Sequence, residues 1–274
     1  MNQGVFMSIF DGAKVIPLFK YGESAYYAAK DRWKKKKHYK PVDLKVRRPG
    51  FEFPTQISRY WHSNSPFKTH IMNSFSLLFP QGEKFFIRSI GRVLSKIEDP
   101  ELKKAAKAFM GQEGSHYVEH EKFYDNLKKQ GYDIDTLLKV LNLFTESLIE
   151  KNMPDKINLS ITAGLEHYTA LLSEICFQEN FMDGAEKEMK DLFEWHAAEE
   201  IEHKAVAYDV LQEIDDSYAL RLFGMWIATI VLFASTTAFT MELLRQDGKL
   251  HKYRSWKEFV DVFFIKEATF IKSA

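Results

Sequence analysis

Two short stretches of the chain each place one glutamate and two histidines on a single face of a predicted helix, and the second reads almost as the mirror image of the first. The motifs are Glu113-x-x-His116-x-x-x-His120 and His196-x-x-x-Glu200-x-x-His203. Residues three, four and seven apart on an α-helix lie within about 60° of one another. Because buried charged groups need partners, a metal ion is the partner that this arrangement indicates.

Two further glutamates, Glu83 and Glu166, complete a pattern in chain order. About 30 residues separate Glu83 from Glu113 and about 34 separate Glu166 from Glu200, and both intervals fit a helical hairpin. The longer interval between Glu113 and Glu166 fits a crossover connection. The order Glu, Glu-x-x-His, Glu, Glu-x-x-His matches the inward-facing ligands of ferritin-like di-metal carboxylate bundles. The predicted metal ligands are Glu83, Glu113, His116, Glu166, Glu200 and His203.

Four more polar side chains stand next to these ligands in the sequence. His120 and His196 are each displaced by one helical turn toward the same end of the bundle, so we expect them to face each other. His167 and Glu199 are immediate neighbours of predicted ligands. All four either donate and accept hydrogen bonds around the ligands, or some of them extend the site to a third metal ion.

The chemistry of the ligand set narrows the choice of metal. Carboxylate oxygens and imidazole nitrogens suit iron or manganese, whereas thiolates would favour zinc or an iron–sulfur cluster. Four carboxylates also balance the four positive charges of two divalent ions. The predicted cofactor is therefore a pair of iron ions, with manganese as the alternative and a third metal left open.

The sequence predicts an all-α protein, because apolar positions follow a helical period and no alternating strand pattern is found. Asp99 followed by Pro100 is typical of a helix start, and Gly131 of a helix end. The predicted helices are about 83–97, 99–130, 133–151, 155–181, 183–214, 217–248 and 256–271. The predicted architecture is a ferritin-like four-helix bundle with a long crossover. Its predicted parts are a basic extension (1–60), the metal-binding bundle (61–215) and apolar C-terminal helices (216–274).

Composition excludes some classes of function. The 38 basic and 38 acidic residues balance, which argues against nucleic-acid binding. The single cysteine, Cys176, excludes an internal disulfide and is typical of a reducing compartment. The first residues lack the pattern of a signal peptide, so we expect a cytoplasmic protein. Basic residues cluster between 30 and 48, either as a solvated arm or as a contact for anionic lipid or an acidic partner.

A long apolar segment follows the second histidine motif. Residues 222–241 are free of charged side chains and are long enough to span a bilayer. A helix that is apolar all round is also typical of a buried core or a homodimer interface. Burial or a homodimer, peripheral membrane association and a true membrane span therefore all stay open.

Four sequence blocks together resemble a bacterial family of predicted metal-dependent hydrolases. The blocks are SLLFPQGEKFF (76–86), FMGQEGSHYVEH (109–120), AGLEHYTA (163–170) and WHAAEEIEHKAVAYDV (195–210). The likeness covers about residues 51–218 and implies a ferritin-like fold. It also implies that the six predicted ligands hold metal, and the blocks include His120 and His196 as well.

Three functions are compatible with such a site. The first is a non-haem di-iron oxidase or oxygenase that activates O2 to oxidise a small, hydrophobic or aromatic organic substrate, as the carboxylate-rich ligand set and nearby aromatic residues indicate. The second is a metal-dependent hydrolase that attacks its substrate with a metal-bound hydroxide. The third is metal storage or sensing. We favour oxygen chemistry from the sequence, and no serine or cysteine nucleophile motif or glycine-rich phosphate loop competes with the metal site.

Overall fold

A computed structural model describes residues 43–54 and 56–262, and within these ranges the protein is all-α. An isolated backbone pair between His62 and Ala185 is the only β-type contact among the described residues. The helices are α1 Pro66–Val93, α2 Pro100–Lys122, α3 Tyr124–Lys129, α4 Ile134–Asn142, α5 Asp155–Gln178, α6 Lys187–His203, α7 Val206–Ile214, α8 Tyr218–Gln246 and α9 Tyr253–Val260. A π-helical segment, Leu143–Glu150, continues α4. The predicted all-α class is confirmed.

Local signals explain several of the helix ends. The carboxylate of Asp99 accepts hydrogen bonds from the first backbone amides of α2, and Pro100 stands at the first helical position, as predicted. Ser217 caps α8 in the same way. Gly131 has a φ of 88° and ends the helical run after α3, because glycine adopts this conformation without strain.

Three predicted boundaries were wrong. The first helix begins at Pro66 rather than near Glu83, because Ser65 caps it and Pro80 is accommodated inside it. The helix predicted for 183–214 begins only at Lys187, since Gly184 has a φ of 80° and no side chain caps the start. That run also breaks after His203 into two helices, α6 and α7. The final helix is described only to 262, so the rest of its predicted range lies outside the described residues.

Four helices surround the predicted ligands. The helix α1 packs against α2 and α5, and α6 packs against α2 and α5, which gives the closed contact pattern of a four-helix bundle. The connection between α2 and α5 contains α4 and the π-helical segment, which match the helix predicted for 133–151, and also α3, which was predicted as the end of the preceding helix. A core of buried aromatic and aliphatic side chains, including Trp61, Leu77 and Phe123, holds this arrangement together.

The apolar helix α8 packs along α5 and α1 on one side and is exposed on the other. Among the described residues it is the one helix that is long and apolar enough to cross a membrane, by length and composition alone, and 22% of its most apolar window is buried. Its exposed apolar side chains are Leu222, Phe223, Trp226, Ile230, Phe233 and Met241. Burial inside the domain therefore accounts for one face only, and a homodimer or a membrane surface stays a prediction for the other.

His62 lies outside the bundle centre, and it makes the free energy of unfolding depend on pH. Its Nε2–H donates to the carbonyl of Phe181 at 2.9 Å, and its Nδ1 accepts from the Ser63 hydroxyl at 3.1 Å, so the buried ring is neutral. Burial, assisted by the charge of Lys68, lowers its pKa to about 4. Because the unfolded value is about 6.5, the native state loses stability as pH falls from 6.5 toward 4.

We expect His62→Gln to flatten this pH dependence. The wild-type protein should lose about 2–3 kcal/mol more free energy of unfolding than the variant between pH 7 and pH 4. Urea unfolding at several pH values measures the difference. Parallel curves for the two proteins would mean that His62 titrates alike in the folded and unfolded chains.

Candidate metal centre

All six predicted ligands converge in the middle of the four-helix bundle, and none is more than 3% exposed. One stands on α1 (Glu83) and one on α5 (Glu166), while α2 and α6 each provide a Glu-x-x-His pair. The helical repeat brings each glutamate and its histidine to the same inner face. The structure therefore brings together the ligand set that the sequence predicted, and its role in holding metal stays a prediction.

The donor atoms form two overlapping groups. Within each group, one atom from every residue lies within 4.8 Å of the others, which is close enough for a shared metal ion. The first group is Glu113, His116, Glu200 and His203, and the second is Glu83, His116 and His196. His196 is not one of the six predicted ligands, but it lies among the donor atoms.

Glu166 contacts this centre through His203. Its Oε2 lies 3.1 Å from Nδ1 of His203, whose Nε2 lies 3.1 Å from Oε1 of Glu113. The His203 ring therefore stands between two carboxylates from different helices. Glu166 belongs to neither of the two close groups, so its place as a direct ligand stays a prediction.

Glu199, which the sequence placed beside the ligands, orients His116. Its Oε2 accepts a hydrogen bond from Nε2 of His116 at 3.0 Å, and this leaves Nδ1 directed at Glu200, 3.5 Å away. Burial alone would raise the pKa of the Glu199 carboxyl, but hydrogen bonds from His116 and Arg47 lower it. An ionised carboxylate behind a histidine is the usual device that fixes a ligating ring.

His120 and His196 are in contact, as their spacing predicted. Nε2 of His120 lies 2.7 Å from Nδ1 of His196, and Nδ1 of His120 lies 2.9 Å from the Ser76 hydroxyl. Nε2 of His196 lies 2.9 Å from Oε1 of Glu200. Because both nitrogens of His120 have partners in the protein, the structure favours an orienting role for His120 over a third metal ion.

His167 lies outside the centre. Its side chain is on the exposed face of α5, since it follows Glu166 directly and a step of one residue turns the side chain by about 100°. The structure therefore does not bring His167 together with the other predicted site residues. Sequence adjacency to a ligand does not imply spatial adjacency on a helix.

Unpaired atoms show that the centre fits a metal. Buried carboxylate oxygens of Glu83, Glu113, Glu166 and Glu200 lack a hydrogen-bond partner, as do Nδ1 of His116 and Nε2 of His203. Leaving such groups buried and unpaired costs about 1–3 kcal/mol each. Divalent cations would satisfy these atoms together, and an oxygen and nitrogen donor set suits iron, manganese or zinc.

The electrostatics agree with this conclusion. Burial and repulsion from neighbouring carboxylates raise the pKa of Glu83, Glu113 and Glu166 well above the usual value. Burial and the adjacent His116 lower the pKa of His196 to about 4, so its ring is neutral at pH 7. Without a cation, the protein therefore holds acidic groups that resist ionisation beside imidazoles that resist protonation. This is the state that a metal ion relieves.

Arg47 is a residue that the sequence analysis missed. Its guanidinium donates to Glu199 at 2.8 Å and to both oxygens of Glu202, each at 2.8 Å, from the segment that precedes α1. It lies in the basic stretch that was predicted to be a solvated arm or an anion contact. No local pattern marks it, because its partners are more than 150 residues away along the chain.

We expect Arg47→Ala to weaken metal binding although Arg47 touches no metal donor. Loss of its hydrogen bonds frees Glu199 and so loosens His116, and losses of this kind reduce metal affinity about 10- to 100-fold. Metal titration by calorimetry measures the effect, with Arg48→Ala, an exposed neighbour, as the matched control. Equal metal affinities of the two variants would show that Arg47 forms a surface ion pair that does not affect metal binding.

The comparison with known protein families agrees with the geometry. A family model described as predicted metal-dependent hydrolase matches residues 45–274. The match includes α8, α9 and Arg47, so it extends at both ends beyond the stretch on which the resemblance rested. No curated protein and no solved structure gives a significant match. The chain therefore belongs to the family of predicted metal-dependent hydrolases.

Proposed function

We propose that the chain is a metal-dependent hydrolase that cleaves an ester or amide bond at a dinuclear centre between α1, α2, α5 and α6. The observation that carries the proposal is the buried set of unpaired donors, which opens through His196 and Glu200 onto a cavity in the same domain. Family membership supports hydrolysis over the oxygen chemistry that we favoured from the sequence. Divalent metals at such centres lower the pKa of bound water and polarise a carbonyl group.

The protein's own residues have distinct parts in this function. Ser76, His120 and His196 form a chain of hydrogen bonds that ends at Glu200, so the His196 ring is held in one orientation. A neutral imidazole at the edge of the centre can accept a proton or ligate metal. The ring of Phe79 packs against that of His196, with the ring centroids 4.6 Å apart.

Oxidation by O2 is the second candidate. Three glutamates and three histidines without any thiolate form a donor set that suits iron, and the adjoining cavity is lined mainly by apolar side chains. An iron-containing oxidase or oxygenase would use the same site for an apolar substrate. This alternative rests on the donor chemistry, whereas hydrolysis has the family in its favour.

One experiment separates the two functions. The metal-free protein is loaded anaerobically with Zn²⁺, Mn²⁺ or Fe²⁺, and each form is tested for hydrolysis of p-nitrophenyl esters and for oxygen uptake. Hydrolysis that a redox-inert metal supports, and that the double variant Glu113→Gln/His203→Ala lacks, is the expected result. Oxygen uptake by the iron form without ester cleavage would contradict hydrolysis and support oxidation as the function. Metal binding with neither activity would indicate storage.

A further inference from the structure

An elongated cavity of about 290 Å³ begins at the candidate metal centre. Its inner end is formed by His196, Glu200 and Phe79, and Leu232 stands beside them. From there it extends between α1, α5, α8 and α9. A smaller cavity of about 80 Å³ meets the same two polar residues from the side of Glu83. The metal centre is thus the polar end of a buried space.

The cavity follows the helix axes for several turns. On α1 its lining residues recur every four positions from Phe67 to Phe79, and on α8 they extend from Leu232 to Leu244. Twelve residues of α-helix measure about 18 Å. An extended carbon chain advances about 1.3 Å per bond, slightly more than the roughly 1.1–1.2 Å per bond of an extended peptide backbone, so roughly 14 carbons would fill this length.

The lining is apolar and lacks positive charge. Among the described lining residues, His196 and Glu200 are the only ionisable side chains apart from the Cys176 thiol, whose pKa burial raises to about 11, and none is a lysine or an arginine. A sugar, a nucleotide or a charged peptide would form few hydrogen bonds or ion pairs with this lining. A free carboxylate or phosphate would find no cation to bind within the cavity itself.

The cavity meets the solvent at its side. Phe233, Met241 and Trp256 line it and are also 47%, 43% and 51% exposed. These apolar residues flank an opening between α8 and α9, which gives a flexible chain a way in. The far end is packed by Phe67, Leu244 and Val262. Within the part of the chain that the structure describes, a ligand therefore has an apolar far end, an apolar entrance and one polar end.

We propose that this cavity binds a single unbranched acyl chain of about 14 carbons, with the carbonyl group at its head placed beside His196 and Glu200. The reaction at the carbonyl group rests on the proposed function, because hydrolysis there would release a fatty acid and an alcohol or amine. Binding of the chain itself depends only on the shape and polarity of the cavity.

Neutral alkyl alcohols test the binding step without metal. Calorimetry on the full-length, metal-free protein would compare butanol, octanol and tetradecanol, which carry no charge for the acidic centre to repel. Affinity should rise up to about fourfold per added methylene and then level off near 14 carbons. An affinity that does not depend on chain length would overturn the proposal.

A matched pair of variants tests the location. Thr237 lines the cavity on α8 and is exposed, whereas its exposed neighbour Ala238 does not line it. Thr237→Trp should weaken tetradecanol binding at least tenfold, and Ala238→Trp should leave it unchanged, with thermal melting as a check on folding. Equal binding by both variants would place the chain elsewhere and so overturn the proposal.

Two further measurements separate the inference from the proposed function. Tetradecanol binding without cleavage of any ester by the metal-loaded enzyme would retain the cavity and refute hydrolysis. Cleavage of butyryl but not myristoyl esters would retain hydrolysis and refute the acyl-chain cavity. Co-sedimentation with phosphatidylcholine vesicles would identify a membrane lipid as the source of the chain, and myristoyl-ester cleavage without co-sedimentation would identify a free ester.

Discussion

Replacing Glu113 with glutamine should abolish most metal-dependent stabilisation while leaving the metal-free protein as stable as the wild type or more so. Glu113 is fully buried, both its oxygens lack hydrogen-bond partners, and burial together with Glu166 and Glu200 raises its pKa. Because a buried carboxyl without hydrogen-bond partners costs about 1–3 kcal/mol, replacing it in the metal-free protein should be neutral or slightly stabilising. A structural glutamate would behave in the opposite way.

The measurement is thermal or urea unfolding with a chelator and with added Mn²⁺ or Zn²⁺. Free metal at a thousandfold excess over its dissociation constant should stabilise the wild-type protein by about 4 kcal/mol, and Glu113→Gln should lose most of this increment. Unfolding of wild type that is insensitive to metal would contradict the assignment of the centre.

Glu119 provides the matched control on the same helix. It is also buried, but it accepts hydrogen bonds from the backbone amide of Phe51 at 2.9 Å and from Lys122 at 2.7 Å. Glu119→Gln should therefore destabilise the protein by about 1 kcal/mol with or without metal. A loss of the metal increment in this variant would show that the assay reports general damage instead of ligand loss.

The candidate ligands could be read from the sequence because their placement is local. Glu113 and His116 share a face by helical geometry alone, and so do Glu200 and His203. Chain order and spacing then matched them with Glu83 on a bundle pattern. Adjacency to a ligand was less informative, because Glu199 beside Glu200 is buried against His116 whereas His167 beside Glu166 is exposed.

Other parts of the centre depend on contacts that no local pattern encodes. Arg47 reaches Glu199 and Glu202 across the fold, from a stretch whose composition is typical of a solvated arm. The first helix was predicted to begin only near Glu83, after Pro80, and proline lacks the amide hydrogen that a helix interior uses. Tertiary packing retains the helix on both sides of Pro80. Similarly, the exposed face of α8 could not be inferred from a segment that is apolar all round.

The close crossing of α5 and α8 links the fold to the centre, and we expect Gly224→Ala to disrupt both. A Cβ atom at Gly224 would lie 2.5 Å from the backbone carbonyl oxygen of Ser160, far inside contact distance. The Ser160 hydroxyl also donates to the carbonyl of Leu220 at 2.7 Å across this crossing. Because backbone atoms cannot move aside as a side chain can, the helices must separate, at about 3 kcal/mol or more.

Separation of these helices would shift α5, and Glu166 stands on that helix less than two turns after Ser160. Gly224→Ala should therefore weaken metal binding as well as lower the melting temperature. Gly114→Ala is the control, because a Cβ at Gly114 meets nothing within 4 Å although Gly114 adjoins Glu113. That variant should gain about 0.5–1 kcal/mol from reduced backbone freedom and keep its metal affinity. A lower melting temperature for Gly224→Ala with unchanged metal affinity would show that α8 can shift without moving the metal-binding helices.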